Sequence, residues 1–332
     1  MGGGCSAVAM SDIRARRFDR RLLMRGAAVG AAVPVLPAAS RASAAATTPR
    51  AAARTSDATF RWFGTCGWRI DTGGRTVLFD PYLSRFPTGL FTGDFDPGTA
   101  LTTDEQVVRR HIGAPELILV SHSHWDHIAD VPYIARIAPK ARIVATETSY
   151  HLLQAFGVDK GRISVVKGGE VLDFDGLVVE VVSSRHSRNA SFGYFAPGTL
   201  HGRPSAGRPR TISDLPEGDT LAFQLTPDGG PSAFLMGASD FSERDAAGLR
   251  PDVAMVAATS STATHAYVPR LMKALGHPGT VVPVHWDNFE LPLDEGAQRD
   301  PNVDLDAFVR RIEAAAPRTR VLVPDYLTPY RF

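Results

Sequence analysis

The stretch Ser121-His122-Ser123-His124-Trp125-Asp126-His127 follows directly on the apolar run Leu117-Ile118-Leu119-Val120. An apolar run that ends abruptly in polar residues is the pattern of a buried strand whose C-terminal end carries a site. From His122 to His127, six residues hold three imidazoles and one carboxylate. On a loop, that spacing sends alternate side chains to one point and the others to a second point nearby. Imidazole nitrogen and carboxylate oxygen are the borderline ligands that Zn²⁺ prefers. A surface histidine cluster or a set of helix-capping residues would need no such order, so H-x-H-x-D-H at a strand end reads as a metal site.

Working outward, residues 59–63, 68–71 and 76–79 read as strands separated by Gly-rich turns, with Asp71-Thr72-Gly73-Gly74 a hairpin signal. Beyond the His-rich stretch, 131–137 reads as a helix with Pro132 in its first turn, 142–145 as a strand and 147–156 as a helix. Strands follow at 163–166, 170–174 and 177–183, the last two joined at Asp175-Gly176, and at 220–225 and 232–236 around Asp228-Gly229-Gly230. Apolar strands at 253–257 and 280–284 flank a helix at 267–275, and a helix at 305–315 and a strand at 320–323 close the chain. Strands occur both as hairpins and alternating with helices, which predicts two mixed sheets with helices outside. Residues 187–216, rich in Gly, Pro, Ser and Arg, are too long for a routine connection and read as a flexible insertion or a loop over a site.

The His-rich stretch resembles the signature of the metallo-β-lactamase fold superfamily, and the resemblance covers roughly residues 59–324. It implies an α/β fold of four layers, an αββα sandwich of two mixed sheets flanked by helices, with a metal pair at the sheet edge. The Phe63-Gly64 turn, Leu78-Phe79-Asp80-Pro81 and His285-Trp286-Asp287-Asn288-Phe289 look most like the branch of ascorbate-phosphate lactonases and N-acyl-phosphatidylethanolamine phospholipase D. Carried over residue by residue, the resemblance implies a first metal site of His122, His124 and His186 and a second of Asp126, His127 and His285. The expected cofactor is a pair of Zn²⁺ ions, with Mn²⁺ or iron as alternatives.

The family's bridging aspartate normally follows a glycine that ends a strand, and here that segment reads Met236-Gly237-Ala238-Ser239-Asp240. Ala238 takes the bridging position. Asp240, two residues on, keeps the same face if the backbone is extended, and is the expected bridging ligand on that condition. The resemblance further implies that Asp80 accepts a ligand histidine's second ring N–H. An ordinary Asp-Pro turn is the alternative. His265 resembles a branch histidine near the leaving group or substrate, against the alternative of a solvent-exposed residue at a helix start.

The 332 residues carry 36 basic and 35 acidic side chains, 44% hydrophobic residues and two cysteines. That excludes a disordered chain, a disulfide scaffold and a generally nucleic-acid-binding surface. The N-terminal 46 residues differ in composition from the rest. Paired Arg20-Arg21 precede an Ala-rich apolar run at 26–39, and Ala42-Ser43-Ala44 offers a small-x-small cleavage pattern. This resembles a twin-arginine export signal, with the run too short to span a bilayer. The expected organisation is a signal and cleavage region at 1–46, a disordered linker at 47–57 and one catalytic domain at 58–332. Cleavage near Ala44 removes seven arginines, two aspartates and Cys5, leaving 29 basic and 33 acidic residues and a net charge of −4. Cys66 then reads as a small core or turn residue.

The function expected is that of an exported hydrolase in which a metal-bound hydroxide attacks an ester, lactone or phosphodiester bond, with Asp126 orienting the water or accepting its proton. Export places it in the periplasm, the cell wall or outside the cell, with the twin-arginine machinery as a partner, no nucleic-acid partner and no transmembrane segment in the mature chain. The substrate is a small or lipid-like molecule, and Phe86, Phe91, Phe95, Phe192, Tyr194 and Phe195 offer an apolar wall for it. The competing readings are a non-catalytic metal-binding member of the fold and an iron-dependent redox enzyme. No G-x-S-x-G elbow supports a serine hydrolase.

Overall fold

The protein is described by a computed structural model over residues 58–332. The expected signal, cleavage site and linker, and Cys5, lie outside the described residues. Three antiparallel strands open the domain: β1 (Thr59–Gly64), β2 (Gly67–Thr72) and β3 (Arg75–Phe79). Gly73 and Gly74, with φ of 57° and 78°, form the β2–β3 turn, where both positions need the left-handed region that glycine enters without a steric penalty. After α1 (Glu105–His111), the chain runs through β4 (Pro115–Leu119), α2 (Trp125–Ile128), α3 (Val131–Ile137), β5 (Arg142–Ala145), α4 (Glu147–Ala155) and β6 (Ile163–Val165). Strands β4, β5 and β6 add in parallel, as expected where helices cover the connections.

The second half supplies β7 (Val171–Asp173), β8 (Leu177–Arg185), β9 (Leu221–Pro227), β10 (Ala233–Met236), β11 (Asp240–Phe241) and α5 (Glu243–Ala246). It continues with β12 (Val253–Ala257), α6 (Tyr267–Ala274), β13 (Thr280–Val284), α7 (Leu305–Ala315), β14 (Arg320–Val321) and β15 (Pro329–Tyr330). One sheet has the order β15-β1-β2-β3-β4-β5-β6, and the other β11-β8-β9-β10-β12-β13-β14 with β7 also on β8. Both are mixed and flanked by helices, the four-layer αββα sandwich expected from the sequence. Phe79 of β3 meets Phe223 of β9 edge-on, ring centroids 6.1 Å apart, so the two sheets share one apolar core.

Each expected strand and helix forms within two residues of the bounds read from sequence. Five short elements were not expected: α1, α2, α5, β11 and β15. Helix α1 starts at Asp104, whose carboxylate accepts the amides of Gln106 and Val107, both at 3.0 Å, and it ends in Arg109, Arg110 and His111. That is a cap at one end and complementary charge at the other. Cys66 is fully buried at the β1–β2 turn, and burial together with Asp80, Asp126 and Asp287 pushes its thiol well up. It is the inert core residue expected. No helix among the described residues is long and apolar enough to cross a membrane.

Candidate metal centre

All six candidate ligands lie just beyond strand ends. His122 to His127 follow β4, His186 follows β8 and His285 follows β13. The expectation of a simple loop after β4 needs correction. His124 is the N-cap of α2, with extended φ and ψ of −64° and 154°, so Asp126 and His127 sit on one helical turn. Ser123 is pinned from the far end of the long insertion: its amide donates to the Glu217 carbonyl at 3.2 Å and its hydroxyl to the Pro216 carbonyl at 2.6 Å. The 187–216 segment therefore lies over the site, with the Ala196 carbonyl 3.4 Å from His124 Nε2.

Donor atoms of His122, His124 and His186 all lie within 4.8 Å of one another, and so do those of Asp126, His127 and His285. The rings of His122 and His127, 3.9 Å apart by centroid, join the two groups. In the second, Asp126 Oδ2 is 3.3 Å from both His127 Nε2 and His285 Nε2. Whether these residues suit a metal turns on which nitrogen of each ring is free. His186 Nδ1 donates to the Ser187 carbonyl at 2.9 Å, which leaves Nε2 unprotonated. His124 spends Nε2 on the Ala196 carbonyl, which leaves Nδ1. His127 Nδ1 donates to Asp80 Oδ2 at 2.8 Å, and His122 Nδ1 donates to Ser121 Oγ at 2.9 Å. Ser121 Oγ passes its own hydrogen to Asp80 Oδ2 at 2.6 Å, and the Ser121 amide donates to Asp80 Oδ1 at 2.7 Å. One buried carboxylate thus fixes the tautomer of a histidine in each group.

His122 Nε2 is the decisive atom. It is buried and has no hydrogen-bond partner, a costly state for a ring nitrogen unless a cation takes its lone pair. The electrostatics agree with the donor set. Burial lowers His122 well below the usual histidine range, His124 to about 4 and His186 to about 3, so this group is neutral near pH 7. Burial would also lower His127, but the Asp126 and Asp80 carboxylates outweigh it and push the ring up to about 10. Asp126, although burial opposes its charge, is held well below the carboxylate range by His127 and His285.

Two residues singled out in the sequence lie outside both donor groups. Asp240 lies outside both donor groups, half-buried on β11, with Oδ1 accepting its neighbour Phe241's amide at 2.8 Å and Arg270, Arg188 and Arg185 around it. The two-residue offset argument required an extended backbone, and the chain bends between Gly237 and Ser239. Ser239 turns its hydroxyl to the Thr259 carbonyl, while a β-carbon on Gly237 would meet Ser121 Oγ at 2.0 Å. His265 is exposed before α6, and only its carbonyl is engaged, by Arg270 at 2.9 Å. Sequence reasoning missed Ser121, although it precedes the first ligand. It also missed a buried network of Arg85, Asp287 and Tyr326 beside His285, in which Asp287 Oδ2 accepts from Arg85 at 3.1 Å and Tyr326 at 2.7 Å.

Aromatic rings frame the donors. Phe95, 44% exposed, tilts over Trp125 at 6.2 Å, and Phe195, 43% exposed, stands edge-on to His186 at 5.9 Å. Phe86 is buried with Tyr82 and Phe289, Phe91 packs on Phe289, and Phe192 and Tyr194 are exposed.

A family profile described as a β-lactamase superfamily domain matches residues 59–285. A UPF0173 metal-dependent hydrolase of Salinibacter ruber is 27% identical over 261 residues, covering 78% of this chain and 94% of its own. Another, from Roseobacter denitrificans, is 26% identical over 280 residues, covering 82% and 98%. Among solved structures, the metallo hydrolase Igni18 of Ignicoccus hospitalis matches with a TM-score of 0.55 at 18% identity, over 83% of this chain and 99% of that one. An isothiocyanate hydrolase from Delia radicum gut bacteria matches at 0.53 and 16% identity, over 82% and 98%. These structural likenesses concern the fold.

Proposed function

The chain belongs to the β-lactamase superfamily domain family, and from that premise we propose that it is an exported metal-dependent hydrolase of an ester, lactone or phosphodiester bond. The observation that carries the reading is the buried, unpartnered His122 Nε2 among neutral imidazoles, beside a second group that contains a carboxylate. His122, His124 and His186 would hold one ion and Asp126, His127 and His285 another, with Zn²⁺ the best fit to nitrogen and oxygen donors. Ions held there supply Lewis-acid polarisation of a carbonyl or phosphoryl oxygen and acidify a water to a pKa near 7. The chain does the rest. Asp126, ionised at neutral pH, orients the attacking water or takes its proton, and Asp80 keeps His127 turned toward the site. Phe95 and Phe195 line an apolar wall for the non-reacting part of a small or lipid-like substrate.

Similarity to proteins named metal-dependent hydrolases supports the activity, and the twin-arginine pattern supports export with cleavage near Ala44. A second reading, a metal-binding protein without turnover, is favoured by one observation: Ala238 stands at the family's bridging position and Asp240 lies outside both donor groups. Mature chain purified without chelator separates the two. We expect about one to two equivalents of Zn, Mn or Fe by elemental analysis, turnover on an ester, lactone or phosphodiester panel, and loss of both in His122→Ala. Protein free of transition metal would refute the proposal, and metal without turnover across the panel would select the second reading.

A further inference from the structure

His285 sits in the second donor group with φ of 54°, in the left-handed region that a β-carbon disfavours. A non-glycine residue stays there only where its surroundings fix it. Its amide donates to the Thr65 carbonyl at 2.7 Å, and the Thr65 amide donates to Asp287 Oδ1 at 2.9 Å. The ligand and Asp287 therefore grip the same residue of the β1–β2 turn. Asp287 is in turn gripped from behind, by Arg85 and Tyr326, and the Arg85 and Asp287 side chains are 1% and 0% exposed. Arg85 also donates to the carbonyls of Phe63 at 2.6 Å and Leu291 at 3.1 Å, so its guanidinium ties the turn before the ligand to the loop after it. The space is reserved for this contact. A β-carbon on Gly64 would lie 1.5 Å from Arg85 Nη2 and 2.6 Å from Asp287 Oδ2.

We propose that Asp287, clamped by Arg85 and Tyr326, is a positioning residue that keeps His285 aimed into the Asp126–His127–His285 group and so sets the affinity of that group alone. The proposal rests on the reading of the six donors as a metal centre. Asp287 lies outside both donor groups, and His122, His124 and His186 are tied to other partners.

The test is competition of full-length protein against a chromophoric zinc chelator, with Co²⁺ absorption following each equivalent. Asp287→Asn keeps the size and the acceptor for Thr65 but removes the charge facing Arg85. We expect its first equivalent to bind within about twofold of wild type and its second about tenfold more weakly or worse, with an altered second-equivalent Co²⁺ spectrum. Tyr326→Phe deletes one hydroxyl, is expected to weaken the second equivalent about threefold, and carries the test if Asp287→Asn is recovered unfolded. A purely structural role would lower the thermal midpoint and leave the ratio of the two affinities unmoved, and that result overturns the proposal. So does a wild-type protein that holds one equivalent as tightly as its variants do. A wild type that takes up no metal refutes the parent reading instead.

Discussion

Asp80→Asn is the most informative single substitution, because it changes one atom at the point where both donor groups converge. Asp80 is fully buried and accepts three hydrogen bonds: the Ser121 amide at 2.7 Å, the Ser121 hydroxyl at 2.6 Å and His127 Nδ1 at 2.8 Å. An asparagine keeps Oδ1 for the Ser121 amide and puts an NH₂ where Oδ2 stood. That NH₂ faces the His127 Nδ1–H, donor against donor. Once the ring is neutral, as binding requires, His127 relieves the clash by keeping its one proton on Nε2, the nitrogen 3.3 Å from Asp126 Oδ2 that would bind the ion. Ser121 Oγ is pressed the same way, and turning its hydrogen toward His122 Nδ1 moves the proton of that ring to Nε2 as well. Changing a partner of a ligating histidine costs about 10- to 100-fold in metal affinity. The expected loss is therefore about 1.4 to 2.8 kcal/mol for each equivalent. Chelator competition on folded protein, checked by circular dichroism, reads both constants. Two equivalents held at wild-type affinity by the variant would refute the tautomer argument, and a loss confined to one equivalent would refute the shared role.

Proton bookkeeping gives a second expectation. His127, raised to about 10, must shed its proton to bind, so the affinity of the Asp126 group should climb about tenfold per pH unit between about pH 6 and 9, whereas the His122 group, neutral already, stays flat. Calorimetry in buffers of different ionisation enthalpy counts the protons, and equal slopes for the two equivalents would contradict it. Metal-free protein should also lose stability as pH falls from about 6.5 toward about 3, because His124 and His186 have folded values below their unfolded ones and take up protons on unfolding. An acid titration of the thermal midpoint that stays level there would be the opposing result. Gly237→Ala, which pushes a methyl to 2.0 Å from Ser121 Oγ, is expected to cost about 1 to 3 kcal/mol of stability by denaturant melts. For the aromatic wall, a series of alkyl hydroxamates should gain up to about fourfold in affinity per methylene on metal-loaded protein, as buried CH₂ groups do. That gain should flatten in Phe195→Ala, and tail-independent binding by the wild type would remove the wall.

Sequence reading worked where one short segment carries the whole cause. Strand β12 is apolar throughout and β13 is apolar after Thr280, and both strands form as read. The H-x-H-x-D-H stretch brings four donors into a single connection, and its order alone divides them between two groups. What escaped depends on distant partners. Strand β15 is two residues long and contains a proline, and it exists because β1 offers an edge more than two hundred residues away in sequence. Arg85, Asp287 and Tyr326 look like ordinary polar residues of three separate loops until the fold stacks them. Asp240 stands outside the donor groups for a local reason: alternation of side chains holds along a strand, and the bend at Gly237–Ser239 breaks it. Helix α1 escaped for no such reason: its cap and charge signals, Asp104-Glu105 and Arg109-Arg110-His111, stand in the sequence and were not read.

The shared carboxylate at Asp80 has a thermodynamic corollary. Two ion sites whose ligands draw on the same acceptor are not independent ligand-binding problems. An ion held by one group would draw electron density along the ring, the Ser121 hydroxyl and the Asp80 oxygen, and would so reset the basicity of the ring in the other. Linkage then imposes reciprocity: the factor by which the first ion changes the affinity of the second equals the factor by which the second changes the first. A substitution at Ser121 that cuts the path between the rings, such as Ser121→Ala, should bring that factor toward one and turn a coupled pair into two separate sites.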